Sequence, residues 1–472
     1  MSPARQCDAA GSVPQVEDVD LSGSRRIHVV GVGGAGMSAI ASVLAAMGHA
    51  VTGSDLKASP AGERLRAAGI TVTVGHRPEA VGDAELVTVS TAVADDNPEI
   101  VEARRRHIPV LRRASVLRAI AATRRCVAVA GTHGKTTTTS MLSLVLVEAG
   151  LRPSFLVGGD VNEIGTNALW DDGEWLVLEA DESDGTFLAL DPEVAVVTNI
   201  EADHLDHYGE MTALESAFDR FATGRPGGLI VGADDARSAA LGRRHGGVSV
   251  GTAPEATYRI TDLAVRRDGV AFAIEHDGAS LGRVTMPVPG VHNARNAAVA
   301  MVAALAAGAS FDDGARAMAR FAGVSRRFEW RGDVGGVRFV DDYAHLPTEV
   351  AVTVDAARAG DWGRVVAVFQ PHRFSRTAAL SGAFADAFVG ADLVVITDVY
   401  PAGERPVPGV SGQLVADAVV AAHPGANVTY VAGRAELRAY LAEVLRSGDL
   451  CLTLGAGDIT SLADELALDG VR

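Results

Sequence analysis

Twice in this chain a short apolar run breaks into a cluster of glycines and then opens into a stretch of helical periodicity. The two clusters are Gly31-Val32-Gly33-Gly34-Ala35-Gly36 and Gly131-Thr132-His133-Gly134-Lys135-Thr136-Thr137. Joints of this kind belong to parallel sheets, whose crossovers alternate strand and helix. The surrounding chain agrees. Strands are expected at Ile27–Val30, Val51–Gly53, Thr71–Val74 and Leu86–Val89, with a helix over Met37–Ala46 between the first two. A second series runs through Cys126–Ala130, Leu176–Leu178, Val194–Thr198 and Leu229–Gly232. Tyr258–Pro287 alternates around Arg267-Asp268-Gly269 and Asp277-Gly278, which suit antiparallel hairpins. A helix-rich stretch, Asn293–Phe321, follows, and the strand–helix rhythm resumes at Val337–Val340, Val365–Phe369, Leu393–Thr397, Val428–Val431 and Leu450–Leu454. The natural cuts fall near residues 123 and 325. They give an acidic leader (1–24) and three α/β domains: 25–122, 123–324 and 325–472.

Composition narrows the class. With 42 Lys and Arg against 59 Asp and Glu, the net charge is -17, which argues against a non-specific binder of nucleic acid or anionic membranes. Cys7, Cys126 and Cys451 are too few and too far apart for a disulfide framework, and the odd count points to a reducing compartment. Residues 1–24 lack the pattern of a signal peptide. No apolar run reaches the roughly 18 residues of a membrane helix. A cytoplasmic protein with no membrane insertion is expected.

The first glycine cluster lets a backbone approach a diphosphate at a helix N-terminus, and Asp55, about twenty residues on, can take ribose hydroxyls. That geometry suits a nicotinamide or flavin dinucleotide and equally a UDP-sugar. The second cluster places a lysine and a threonine where a triphosphate would lie. Lys135 would reach the outer phosphates and Thr136 would bind Mg²⁺. It departs from the common spacing, since Val129 stands where the first glycine is usual. Two acidic runs, Glu179–Asp184 and Glu201–His207, follow strands at the same sheet edge and offer the hard oxygens that Mg²⁺ needs.

The ordered motifs resemble the Mur ligase family from about Arg25 to the C-terminus. They are GVGGAGMS (Gly31–Ser38), GSDL (Gly53–Leu56), NPE (Asn97–Glu99), GTHGKTTTT (Gly131–Thr139) and EADESD (Glu179–Asp184). Next come TNIEADHLD (Thr198–Asp206), HNARNA (His292–Ala297), RRF (Arg326–Phe328) and DDYAHLPTE (Asp341–Glu349). FQPHRFSRT (Phe369–Thr377), DVYPAGE (Asp398–Glu404) and GAGDI (Gly455–Ile459) complete the series.

The resemblance implies a Rossmann-like UDP-binding domain, a central ATP-binding domain with a phosphate loop, a parallel sheet and a small antiparallel sheet, and a Rossmann-like C-terminal domain receiving the amino acid. It implies ATP-dependent joining of L-alanine to the carboxylate of UDP-N-acetylmuramate, with ATP and Mg²⁺ required. Gly33, Gly34, Ala35, Gly36, Ser54, Asp55 and His76 would take the UDP portion. Gly131, Thr132, His133, Gly134, Lys135, Thr136 and Thr137 would hold the ATP phosphates, and Thr136, Glu179 and His204 would serve the metal. His292, Asn293 and Asn296 would border the adenine, with Asp342 near the ribose and Arg327 near the phosphates. His345, His372, Arg373 and Arg376 would line the reacting carboxylate and amine, either histidine being a possible base.

Two positions depart from the family. Leu346 replaces its usual second histidine in the third-domain motif. Phe218 stands where ligases of later amino acids carry a modified lysine. A peptide-adding ligase on the same sugar nucleotide, a dinucleotide-dependent oxidoreductase and a non-catalytic nucleotide sensor are the competing readings. The partners expected are small molecules, and the chain a monomer or a homodimer.

Overall fold

The structure, a computed structural model, describes residues 17–266, 268–360 and 362–469. Cys7, Arg267 and most of the expected leader (1–16) lie outside them. The described chain forms three sheets flanked by helices.

The first sheet comprises β1 (Arg26–Val30), β2 (Ala50–Asp55), β3 (Thr71–Val74), β4 (Leu86–Val89) and β5 (Val110–Arg112). All pairs are parallel, in the order β3-β2-β1-β4-β5. The order reverses at β1, so the cluster Gly31–Gly36 leaves the sheet at its switch point, where a crevice opens.

The second sheet holds β6 (Arg125–Ala130), β7 (Ser154–Val161), β8 (Thr166–Leu169), β9 (Trp175–Glu179), β10 (Val194–Val197), β11 (Leu229–Gly232), β12 (Val248–Gly251), β13 (Tyr258–Arg266), β14 (Gly269–His276) and β15 (Ala279–Met286). Its order is β15-β14-β13-β12-β11-β10-β6-β9-β7-β8. β6 runs parallel between β10 and β9, which brings the phosphate-type loop and both acidic runs to one edge. The turn Asp277-Gly278 has φ of 51° and 77°, the two left-handed residues of the tight hairpin turn that the sequence signals.

The third sheet holds β16 (Glu329–Val334), β17 (Val337–Asp342), β18 (Arg364–Phe369), β19 (Leu393–Ile396), β20 (Val428–Tyr430) and β21 (Asp449–Leu454). Its order is β16-β17-β21-β18-β19-β20, with only β16 antiparallel among the pairs.

By compactness the chain divides into two units. One holds the described residues to Asp262 with Ala273–Val284 and Arg295–Phe321; the other holds Leu263–Phe272, Thr285–Ala294 and the residues from Ala322.

The helix Lys135–Glu148 explains how a hydroxyl-rich sequence becomes core. Thr136 to Leu146 are all buried. Thr139, Ser140 and Ser143 donate back to the carbonyls of Lys135, Thr136 and Thr139 at 2.7–2.8 Å, so these hydroxyls are satisfied inside their own helix. Phe218, in the helix Met211–Ala222, is fully buried and meets Phe187 edge-to-face at 5.2 Å. A lysine there would have no place to put its charge, so this position is core.

Candidate active site

The loop after β6 is shaped by two glycines in conformations a side chain resists. Gly131 has φ of 130°, and a Cβ there would lie 2.1 Å from Thr198 Oγ1. Gly134 has φ of 78°, and its Cβ would lie 2.5 Å from Asn296 Oδ1. The His133 amide donates to Asn199 Oδ1 (2.8 Å), while Thr198 Oγ1 and Asn199 Nδ2 both donate to the His133 carbonyl (2.6 and 3.0 Å). Thr132 Oγ1 accepts from the Glu201 amide at 2.8 Å. The loop backbone is therefore fixed before any ligand arrives.

Lys135 is folded inward. Its ammonium donates to the Gly131 and Thr132 carbonyls and, at 2.8 Å, to Glu182 Oε1. Burial alone would lower its pKa, but Glu182, Asp181 and Glu179 together raise it. Burial pushes the Glu182 carboxyl up to about 7 despite Lys135 beside it. Its second oxygen, Oε2, is buried without a hydrogen-bond partner. Asp181 is held below the usual range: burial works against this, while Lys135, Ser183 and Arg113 outweigh it.

Thr136 Oγ1 donates to Glu179 Oε1 at 2.9 Å, and the other oxygen of Glu179 accepts from the Gly158 amide. Among the described residues no three His, Cys, Asp or Glu side chains form a metal cage. The Thr136–Glu179 pair instead fits an ion such as Mg²⁺, which keeps waters and substrate phosphates as most of its ligands. His204, with φ of 55°, sets its Nε2 3.1 Å from Asp203. Thr137 is buried in the first turn of the helix.

The first loop carries a different lining. The Gly33 amide donates to Asp55 Oδ2 at 2.8 Å, so the carboxylate expected near the ribose braces the turn. Ser54 Oγ donates to Glu99 Oε2 and meets His76 Nδ1 at 3.1 Å. Glu99 is fully buried and also accepts from the Arg77 amide (3.0 Å), while His28 Nε2 lies 3.3 Å away. Burial opposes its charge, yet these donors hold the Glu99 carboxyl below its ordinary value. The sequence marks Glu99 only as part of a motif; its place behind Ser54 and His76 is a structural finding.

A third group lies at the edge of the last sheet. His345 and His372 stand 5.7 Å apart between ring centres, and His372 stacks on Tyr400. Arg376 Nη1 is 3.2 Å from His372 Nδ1. An arginine only donates, so Nδ1 accepts and the ring proton of a neutral His372 sits on Nε2. Burial, helped by His345, Arg376 and Arg373, pushes the His372 pKa down to about 4. His345 has the opposite arrangement. Its Nδ1 faces the Tyr343 carbonyl (3.0 Å) and Glu349 Oε2 (3.3 Å), both acceptors, which places the proton on Nδ1 and the lone pair on Nε2.

Arg373 adopts φ of 70°, a conformation costly outside glycine, and its amide donates to the Tyr400 carbonyl. Asp342 accepts from the Phe328 and Ala344 amides (both 2.8 Å), and burial raises its carboxyl to about 6, against the pull of Arg327. The Arg327 guanidinium lies 5.3 Å over the Tyr343 ring. Leu346, buried, caps the helix Pro347–Arg358 through its amide, which donates to Glu349.

Of the residues expected at the adenine, Asn296 lies beside Gly134. Asn293 is buried and donates to the Pro289 carbonyl at 2.7 Å, and the His292 ring lies against Gly290. Glu182, Asn199, Glu349 and Tyr400 carry no individual mark in the sequence. The strand-end motifs contain all four, which is the only signal that could have raised them.

The chain matches the Mur ligase family catalytic domain over residues 26–125, the Mur ligase middle domain over 129–304 and the Mur ligase glutamate ligase domain over 326–457. It is 45% identical over 447 residues to a UDP-N-acetylmuramate–L-alanine ligase of Pelotomaculum thermopropionicum, covering 94% of this chain and 97% of that protein. A ligase of the same name from Saccharopolyspora erythraea is 47% identical, with 98% of each chain covered. Among solved structures, a UDP-N-acetylmuramate–alanine ligase of Thermotoga maritima superposes with a TM-score of 0.80 at 30% identity, covering 94% of this chain and 99% of that one.

Proposed function

The chain belongs to the Mur ligase family, and from that premise we infer that it joins L-alanine to the carboxylate of UDP-N-acetylmuramate, with ATP cleaved to ADP and phosphate. The observation that carries this reading is the end-to-end match to ligases of that name, over 94% and 98% of the chain. The product is a peptidoglycan precursor, which puts the enzyme in cell-wall biogenesis and, through it, in cell shape and division. We place the reaction in the cytoplasm. In support, no helix among the described residues is long and apolar enough to cross a membrane, and Cys126 and Cys451 are buried free thiols. We take residues 25–122, 123–324 and 325–472 as the domains for sugar nucleotide, ATP and amino acid.

A carboxylate is a poor acyl donor, so ATP first converts it to an acyl phosphate. Such phosphoryl transfer depends on positioning and charge neutralisation. The amides of Gly131–Thr137 would cradle the phosphates. Lys135 would turn from the carbonyls of Gly131 and Thr132 toward the γ-phosphate, with Glu182 Oε1 still accepting from its ammonium. Thr136 and Glu179 would hold Mg²⁺, which when bound offsets the phosphate charge. Arg373 and Arg376 suit the bidentate holding of a carboxylate. The amine must attack as its free base. The lone pair on His345 Nε2, backed by Glu349, fits the proton acceptor, whereas His372 presents an N–H and fits a donor to the reacting oxygen.

Phosphate release from ATP tests the reading. It should require UDP-N-acetylmuramate and L-alanine together. Turnover with a tripeptide but none with L-alanine would overturn it, and reduction of a nicotinamide would return the oxidoreductase.

A further inference from the structure

We propose that Arg113 is the cation that clamps the diphosphate of the sugar nucleotide, a role resting on the substrate assignment above. The loop Gly31–Gly36 opens the helix Ala35–Ala46, which has no basic residue of its own in the first turn. A diphosphate carries more charge than backbone amides and a helix dipole balance comfortably. Arg113, the first residue of the helix Arg113–Ala121 that follows β5, supplies what is missing. A Cβ built on Gly36 would lie 3.2 Å from its Cζ, 3.3 Å from Nη2 and 3.4 Å from Nε. The guanidinium therefore rests on the first turn of the loop's helix, close enough that a side chain at Gly36 would press on it.

Arginines elsewhere in this protein are mostly paired: Arg364 with Asp449, Arg434 with Glu465, Arg326 with Asp341. Arg113 forms no ion pair among the described residues. Its Nε is buried without a hydrogen-bond partner. A buried, unsatisfied guanidinium nitrogen is costly unless a ligand completes it. An anion of fork geometry at the end of a glycine turn matches that need, and arginine, not lysine, is the side chain with a flat fork to offer. The guanidinium also stands within electrostatic reach of Asp181, so a bound diphosphate would screen it from the acidic run after β9.

The test is a titration of the full-length protein and its Arg113→Gln and Arg113→Lys variants with uridine, UDP, UDP-N-acetylmuramate and ATP, beside steady-state KM values. Arg113→Gln should weaken UDP and the sugar nucleotide about 10- to 100-fold, the range of a charge-assisted hydrogen bond, and leave uridine and ATP unchanged. KM for the sugar nucleotide should rise while KM for ATP does not, and Arg113→Lys should recover part of the loss. Thermal melting of the ligand-free variants checks folding. A well-folded Arg113→Gln that still prefers UDP over uridine as the wild type does would overturn the proposal. So would a loss confined to ATP. Wild type that binds no uridine nucleotide at all would instead sink the substrate assignment.

Discussion

The glycine loop after β1 and the glycine loop after β6 leave parallel strands at the same kind of edge, and each opens a helix, of 12 and 14 residues. Their linings differ. In the first, a carboxylate (Asp55) closes on the turn and a cation, Arg113, comes from another helix. In the second the cation, Lys135, is the first residue of the helix itself, and a buried carboxylate holds it from behind. The first loop is suited to hold a diphosphate that does not react. The second needs a cation that can follow a phosphoryl group in transfer, and a lysine on a flexible stem does that where a stacked arginine would not. On the proposed reading the same backbone device would serve two phosphates, and the origin of the charge would separate binding from chemistry.

The sharpest way to break this contrast is Lys135→Ala. We expect the ligase rate to fall by about a thousandfold or more, as removing a preorganised charge from a phosphoryl transfer site does, with UDP binding intact. A variant retaining the full rate would erase the distinction between the loops. Next in size is Gly131→Ala. Its Cβ would overlap Thr198 Oγ1 at 2.1 Å on a backbone at φ of 130°, so a loss of about 2–4 kcal/mol is expected in denaturant unfolding.

How much of this could be read beforehand follows from the physics of each part. β1, β3, β4 and β10 are dense β-branched runs, and their hydrophobicity alone marks them. β5 has three residues and β16 is largely polar; pairing with a neighbour makes them strands, and a neighbour is not written locally. The loop Gly131–Thr137 was legible because glycine, lysine and threonine must occupy fixed places. Within Glu179–Asp184, however, nothing local says that Glu182 turns inward. That is decided by Tyr208, which donates to the Glu182 carbonyl, and by Lys135, 47 positions earlier in the chain. The two histidines of the last sheet were likewise indistinguishable in sequence. Their tautomers depend on a carbonyl of Tyr343 and a guanidinium of Arg376, both set by the fold.

The burial of the second loop's carboxylate has a pH signature of its own. Glu182, at about 7 in the folded protein against an ordinary 4.5, keeps a proton that the unfolded chain has already released. Its contribution to stability therefore declines as pH rises from 4.5 through 7. His372, pushed from 6.5 to about 4, acts in reverse: the unfolded chain binds the extra proton, so stability climbs with pH across 4 to 6.5. Urea melts between pH 4.5 and 7 should show Glu182→Gln losing the falling component and His372→Asn losing the rising one. An unaltered slope in Glu182→Gln would mean that burial does not raise this carboxyl above its ordinary range.

The smallest expected effect lies in the first loop, and it is informative because it is small. Gly34 has φ of -76°, open to any residue, and a Cβ there meets nothing closer than the Gly31 carbonyl at 4.0 Å. One position earlier, a Cβ on Gly33 would fall 2.8 Å from both Asp55 Oδ2 and Ser59 Oγ. Gly34→Ala should therefore melt within about 1 °C of wild type, as substitutions without new contacts do. Gly33→Ala should lose several degrees, because either the Asp55 carboxylate or the backbone must move to admit the methyl group. If both variants melt alike, the Asp55 brace is not what shapes this turn. The first loop would then be as dependent on its glycines' conformation as the second is at Gly131, and charge alone would be left to tell the two apart.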